Sequence, residues 1–167
     1  MGETTTEGTG EVRWLDDEEQ RAWRAILRGG HLVTLAMEEA LAPHGVSLGE
    51  YELLSMLAEA PGQRRRMAEL ADLVVQSRSR VSHTASRLGR RGWVRRVPAD
   101  DDGRGVLLSL TDEGYAVVQR LAPVHVASVR AALLDHLDRD HLLSHGEQMR
   151  RVVRANRASE DQAGDAV

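Results

Sequence analysis

The helical apolar period that runs through most of this 167-residue chain gives way once, at Trp93, and returns at Thr111. Between those points Trp93-Val94-Arg95-Arg96-Val97 and Val106-Leu107-Leu108-Ser109-Leu110 are short, β-branched-rich or alternating runs. They are joined by Pro98-Ala99-Asp100-Asp101-Asp102-Gly103-Arg104-Gly105, which is the pattern of a hairpin with a long tip. One hairpin set into a helical chain restricts the fold class to mainly α with a small β-hairpin wing, and the helices on either side decide what that wing can serve.

Asp16 or Asp17 can cap a first helix whose apolar positions Trp23, Ile26, Leu27, Leu32, Leu35, Ala36 and Leu41 recur near a 3.6 period up to Pro43 and Gly45. Ser47, with Glu50 three residues on, forms a capping box, opening a second helix with Tyr51, Leu54 and Leu57 on one stripe before Pro61-Gly62. A short helix is expected from about Met67 to Leu73, and a new start signal follows at Ser77. Two helices separated by a few residues make a helix-turn-helix candidate. The second is expected to run to about Arg91 and stop at Gly92, with Val81, Ala85 and Leu88 on its buried face. Its other face reads Arg80, His83 and Arg87, with Ser79 and Ser86 beside them. After the hairpin, Thr111 caps a helix with Asp112 and Glu113 in its first turn, where negative charge complements the helix dipole. Pro123 stands inside that helix and is expected to kink or break it by removing a backbone hydrogen bond. Asp138 can cap a last helix carrying Leu142, Leu143, Met149, Val152 and Val153.

Charge is distributed unevenly along this order. The net charge is −4, yet all 22 basic residues are Arg and eleven of them lie between Arg64 and Arg104, opposed by Glu69, Asp72, Asp100, Asp101 and Asp102 alone. That segment is +6 and the remainder of the chain −10. A basic face on an acidic body attracts phosphate, and Arg suits bidentate contacts to phosphate and guanine. Cysteine is absent, which excludes disulfides, thiolate metal sites and thiol-based sensing. No apolar run reaches the length of a bilayer span. The Gly/Thr/Glu-rich segment Met1 to Glu11 is unlike a signal peptide, so a soluble, cytoplasmic protein is expected.

The stretch from Arg66 to Gly114 carries a resemblance. Met67-Ala68-Glu69-Leu70-Ala71, Ser77-Arg78-Ser79-Arg80-Val81-Ser82 and Leu88-Gly89-Arg90-Arg91-Gly92-Trp93 are each similar to the helix-turn-helix and wing entry of the MarR (multiple-antibiotic-resistance regulator) family. Asp102-Gly103-Arg104, followed by Leu108-Ser109-Leu110-Thr111-Asp112-Glu113-Gly114, resembles the family's Asp-x-Arg wing and the Leu-Thr-x-x-Gly that begins the next helix. The resemblance spans roughly Trp14 to Val153. It implies a winged helix-turn-helix flanked by dimerisation helices, acting as a homodimeric regulator of transcription, with repression the expected output and a small aromatic or amphipathic effector held between the dimerisation helices and the winged domain. It also implies that Arg104 enters a minor groove while Asp102 orients it. The sequence departs from the family pattern at Gly103, where a second Arg is common, and at Ala68, where a capping Ser is common. Arg65 stands where an apolar residue usually pairs a short strand with the wing, so a third strand is expected to be short or absent.

The expected organisation is a tail over 1–13, an N-terminal dimerisation helix over 14–46, a winged helix-turn-helix over 47–114, C-terminal dimerisation helices over 115–157 and a tail over 158–167. Ser77, Arg78, Ser79, Arg80, Ser82, His83, Arg87, Asp102 and Arg104 are the candidate DNA-binding residues. A helix start rich in small hydroxyls brings free amides to phosphate, while Arg80, His83 and Arg87 project toward base edges. Arg64-Arg65-Arg66 reads as a phosphate clamp or a solvated loop. His136, His141 and His145 read better as surface histidines than as metal ligands. No nucleophile elbow, phosphate loop or tight metal motif occurs, so neither catalysis nor a cofactor is expected. Two recognition helices in a dimer would meet an inverted-repeat duplex operator with half-sites about 10 base pairs apart. The alternative is a winged-helix module that binds protein. Its helix and tip would expose apolar side chains, whereas these positions hold Arg, Ser, His, Asp and Gly.

Overall fold

In the computed structural model, which describes residues 12–99 and 106–164, the Asp16 carboxylate accepts from the Glu18 and Glu19 amides at 2.8 Å. Glu19 returns to the Asp16 amide at 3.1 Å. This capping box opens α1 (Asp17–Leu41), which ends at a 3-10 turn and Gly45, whose φ of +67° suits a residue without Cβ. Ser47 and Glu50 form the second capping box, at the start of α2 (Leu48–Ala58). Helix α3 (Met67–Leu73) and α4 (Arg78–Arg90) follow, then the hairpin, then α5 (Asp112–Ala132) and α6 (Arg139–Gly164).

The hairpin strands Val94–Pro98 (β2) and Val106–Leu110 (β3) pair antiparallel with Val94 opposite Leu110 and Pro98 opposite Val106. Strand β1 (Arg64–Arg66) is present and pairs with the far side of β3, giving the order β1-β3-β2. It is as short as expected but not lost, because Arg65 fills the apolar position with its stem. Arg65 pairs with Leu108 and sends its guanidinium toward Glu69, with Nη1 3.8 Å from Oε2.

Leu41, Leu53, Leu54, Leu57, Leu70, Leu88, Leu108 and Leu121 are wholly or almost wholly buried, one core shared by the end of α1, helices α2 to α4, the sheet and the first half of α5. Pro123 does not break α5, which is continuous to Ala132. One lost hydrogen bond is outweighed by the packing of Val117, Val118 and Leu121 just before it and of the His125 ring on Tyr51, 4.6 Å between centroids, just after.

The start of α5 locks the sheet to the helices. Thr111 accepts from the Gly114 amide at 3.1 Å, donates its hydroxyl to the Gly92 carbonyl at 2.7 Å and its amide to the Trp93 carbonyl at 3.0 Å. A Cβ on Gly114 would stand 2.1 Å from the Trp93 carbonyl oxygen. The glycine of the Leu-Thr-x-x-Gly stretch is therefore required by close backbone approach. Beyond this core, Trp14 ahead of α1, Trp23, Ile26 and Leu32 on α1, and Leu143 and Val152 on α6 are about half or more exposed. Among the described residues no helix is long and apolar enough to cross a membrane.

Candidate nucleic-acid interface

Helices α3 and α4 pack on each other through Leu70, Ala71, Val81, Ala85 and Leu88. Their turn is closed by the Gln76 amide on the Ala71 carbonyl at 3.0 Å and the Val74 amide on the Leu70 carbonyl at 3.0 Å. Val75 in that turn takes a φ of +50° and is 70% exposed, a strained place for a β-branched residue. The turn delivers Ser77 as the N-cap of α4, where its hydroxyl accepts from the Arg80 amide at 3.2 Å. The amides of Arg78 and Ser79 have no intrahelical acceptor and point out of the helix start.

From this start α4 turns Val81, Thr84, Ala85 and Leu88 inward and Arg78, Ser79, Arg80, His83, Ser86 and Arg90 outward. Ser82 is half-buried, and its carbonyl accepts the Ser86 hydroxyl at 2.9 Å. Seven of the sequence candidates, Ser77, Arg78, Ser79, Arg80, Ser82, His83 and Arg87, thus lie on one helix and its cap, with Ser82 and Arg87 at its margins. Asp102 and Arg104 lie outside the described residues.

Arg87 has an internal partner. Its Nε donates to Glu50 Oε1 at 3.1 Å, and Arg91 Nη1 stands 3.8 Å from Glu50 Oε2. Glu50 is only 7% exposed. Burial alone would raise its carboxyl, but the Ser47 amide, Arg87 and Arg91 together hold it below the usual carboxylate range. Arg91 also donates to the Gly45 carbonyl at 2.9 Å and lies 3.8 Å over the Trp93 ring. Sequence reading gave Glu50 only its capping role. Arg87 and Arg91, four apart on one helix face, were the signal that a carboxylate would be needed opposite them.

Arg80 faces a second acidic group. Burial and the neighbouring Glu38 carboxylate push Glu52 up, and the Arg80 charge opposes that rise. Two of the C-terminal histidines have partners of their own: His136 Nε2 contacts the Ala131 carbonyl at 2.9 Å, and His141 Nδ1 hydrogen-bonds the Asp138 carboxylate. Among the described residues no group of three or more such side chains could hold a metal ion.

The arrangement is a buried helix-turn-helix presenting a cationic, hydroxyl-rich helix beside a three-stranded sheet, a shape and charge suited to the major groove of duplex DNA. Residues 44–105 match a family model described as MarR family. Sco3205 of Streptomyces coelicolor, a MarR family transcriptional regulator with a crystal structure in complex with DNA, is 42% identical, with a TM-score of 0.82 covering 88% of this chain and 92% of that one. AbsC, a MarR family transcriptional regulator from the same organism, is 37% identical, with a TM-score of 0.83 over 88% of this chain and 99% of that one. The HTH-type transcriptional regulator PecS of Dickeya dadantii (strain 3937) is 29% identical over 126 residues, 71% of this chain and 72% of its own length.

Proposed function

The chain belongs to the MarR family of transcriptional regulators, and from that premise we propose that it acts as a homodimeric, ligand-responsive repressor of genes beside an inverted-repeat operator. The observation that carries this reading is the outward face of α4. Arg78, Ser79, Arg80 and His83 are all exposed there, on a helix whose opposite face is fully packed. Such a face donates to guanine acceptors and to phosphate, and offers nothing apolar to a protein partner. The chain would act in the cytoplasm, where its operator lies.

Dimerisation is supported by the apolar side chains that α1 and α6 leave in solvent, Trp23 at 49%, Ile26 at 52%, Leu32 at 62% and Val152 at 50%. Two-fold symmetry is the usual solution for such a surface, and the domain division proposed is the one expected from sequence, with 14–46 and 115–157 pairing two chains. The effector reading is supported by a cleft of about 460 Å³ where Val152, Val153 and Asn156 of α6 face Val75, Gln76 and Ser77. That volume suits a small molecule. A ligand seated there would touch both the dimerisation helix and the cap of α4, and so could shift the spacing of the recognition helices.

In this reading Arg104 enters the minor groove with Asp102 orienting it. Arg104→Ala should weaken binding most on operators with A·T-rich flanks, whose narrow minor groove concentrates negative potential, and Asp102→Ala should show a weaker form of the same defect. Selection of bound genomic fragments, followed by binding titrations on two flank types, tests this. Equal affinity of Arg104→Ala and the parent on every duplex would refute the wing assignment.

A further inference from the structure

The cleft between α6 and the turn joining α3 to α4 selects by charge as well as by volume. Its apolar walls are Val75 of the turn and Val152 and Val153 of α6. Its polar wall is one carboxylate, Asp72, with the carboxamides of Gln76 and Asn156 and the Ser77 hydroxyl. Although the chain has 22 arginines, no basic side chain is among the described residues that line it. Arg78 and Arg80, next along α4, lie outside the lining.

These polar groups are not equally free. Ser77 Oγ already accepts from the Arg80 amide at 3.2 Å, and Asn156 Nδ2 donates to the Val152 carbonyl at 2.9 Å, which leaves the Asn156 oxygen to the cleft. Asp72 is exposed, and among the described residues its carboxylate has neither an ion-pair nor a hydrogen-bond partner. An anion entering here would give up water beside a carboxylate, with no cation to replace it. A cation meets the opposite balance, because Asp72 accepts charge-assisted hydrogen bonds and the carboxamide oxygens can take further N–H donors.

Val75 adds a separate observation. Its φ of +50° is costly for a β-branched residue, and at 70% exposure its side chain gains little from packing in the free chain. Strained residues of this kind cluster at ligand clamps. An apolar body lying between Val75 and Val152 would cover surface that the chain leaves in water. The strained position stands between Asp72 and Ser77, so a ligand held at Asp72 and packed on Val75 bears on the turn that sets the cap of α4.

We infer that the effector is an amphipathic cation, an ammonium or amidinium on a compact apolar body, with its charge on Asp72 and its body between Val75 and Val152. Release of DNA by such a ligand rests on the effector reading given under Proposed function; selection of its charge rests on the cleft alone.

Phenylbutylamine, phenylbutanol and phenylbutyrate share one skeleton and separate charge from shape. Each is titrated by calorimetry into the full-length chain without DNA at about pH 7, where the amine is protonated and the acid ionised. The amine should bind about tenfold tighter than the alcohol, and the carboxylate more weakly than either. Asp72→Asn should bring the amine to within about twofold of the alcohol while keeping the parent's affinity for a duplex selected from random sequence. Val75→Asn, a residue that tolerates positive φ, should weaken amine and alcohol alike and keep the preference between them. A carboxylate bound as tightly as the amine, an amine affinity unchanged by Asp72→Asn, or no binding of any of the three overturns the inference. In a second arm the probes are added to the chain on its labelled duplex. The amine should release the parent and leave Asp72→Asn bound. Asp72-dependent binding that leaves the duplex in place would support the charge selection and overturn the effector reading, whereas release by the carboxylate alone would overturn the charge selection and leave the effector reading standing.

Discussion

Arg87 of α4 donates its Nε–H to Glu50 of α2 at 3.1 Å, across 37 residues of sequence, and so ties the recognition helix to the helix behind it. The carboxylate is 7% exposed and capped by Ser47, whereas the guanidinium is about half exposed. One end of the bond is fixed and the other reaches the surface where DNA is expected. Arg87 is thus held in one pose before any ligand arrives, which lowers the side-chain entropy lost on binding.

Glu50→Gln should cost roughly 1–3 kcal/mol of stability, because a charge-assisted hydrogen bond and the Arg91 pairing are both weakened. Urea unfolding of the single variants and of Glu50→Gln with Arg87→Ala checks it. The double variant should be destabilised by clearly less than the sum of the two, since they remove the same bond. Strict additivity would show that Glu50 acts through its cap alone.

Gly114→Ala should lower the melting temperature although it adds only a methyl group. The new Cβ would lie 2.1 Å from the Trp93 carbonyl oxygen and 2.8 Å from Leu110 Cδ1. Backbone must move to admit it, at a cost of about 1–3 kcal/mol or more. Thermal melts followed by circular dichroism decide it. Gly146→Ala, whose nearest neighbour would be the tip of Arg150 at 3.9 Å, is the matched control and should melt no lower than the parent.

Burial lowers the pKa of His125, whose Nδ1 lies buried against the Tyr51 side of α5 with no hydrogen-bond partner among the described residues. A group whose folded pKa is depressed binds more protons when unfolded. Its contribution to stability is therefore full above its ordinary value of about 6.5 and is lost as pH falls through the lowered folded value. His125→Phe keeps a ring against Tyr51 and removes the titration. The variant should lose less stability than the parent between about pH 6.5 and pH 5; parallel pH profiles would mean that His125 is hydrated in solution.

The apolar residues that α1 and α6 leave in solvent predict a light-scattering mass of two 18.4 kDa chains at micromolar concentration. Leu32→Glu, at a site 62% exposed in the single chain, should shift that mass toward one chain. If it leaves a dimer of unchanged affinity, α1 does not form the interface at that point.

Local chemistry made most of the fold legible in the sequence. Asp16, Ser47, Ser77 and Thr111 each cap the helix that their own neighbours predict, because a cap bonds amides two or three residues away. What sequence reading lost was tertiary. Pro123 looked like a kink or a break because its missing donor is visible in sequence, while the Tyr51 and Leu121 packing that carries α5 past it unbroken is not. Arg65 left a short strand or none open, and the strand is the short one, because the length of the Arg65 stem along β3 does not show in a hydropathy pattern. Arg87 read as a free cation because Glu50 lies far away in sequence.

The most direct test is a titration of a fluorescently labelled duplex, selected by the protein from random sequence, with the parent chain and with Arg80→Ala. The account predicts saturation at two chains per duplex, an inverted repeat with half-site centres about 10 base pairs apart, and a loss of about 1–3 kcal/mol for Arg80→Ala confined to duplexes that keep the base it reads. Binding of selected and unselected duplexes with equal affinity, untouched by Arg80→Ala, would contradict it.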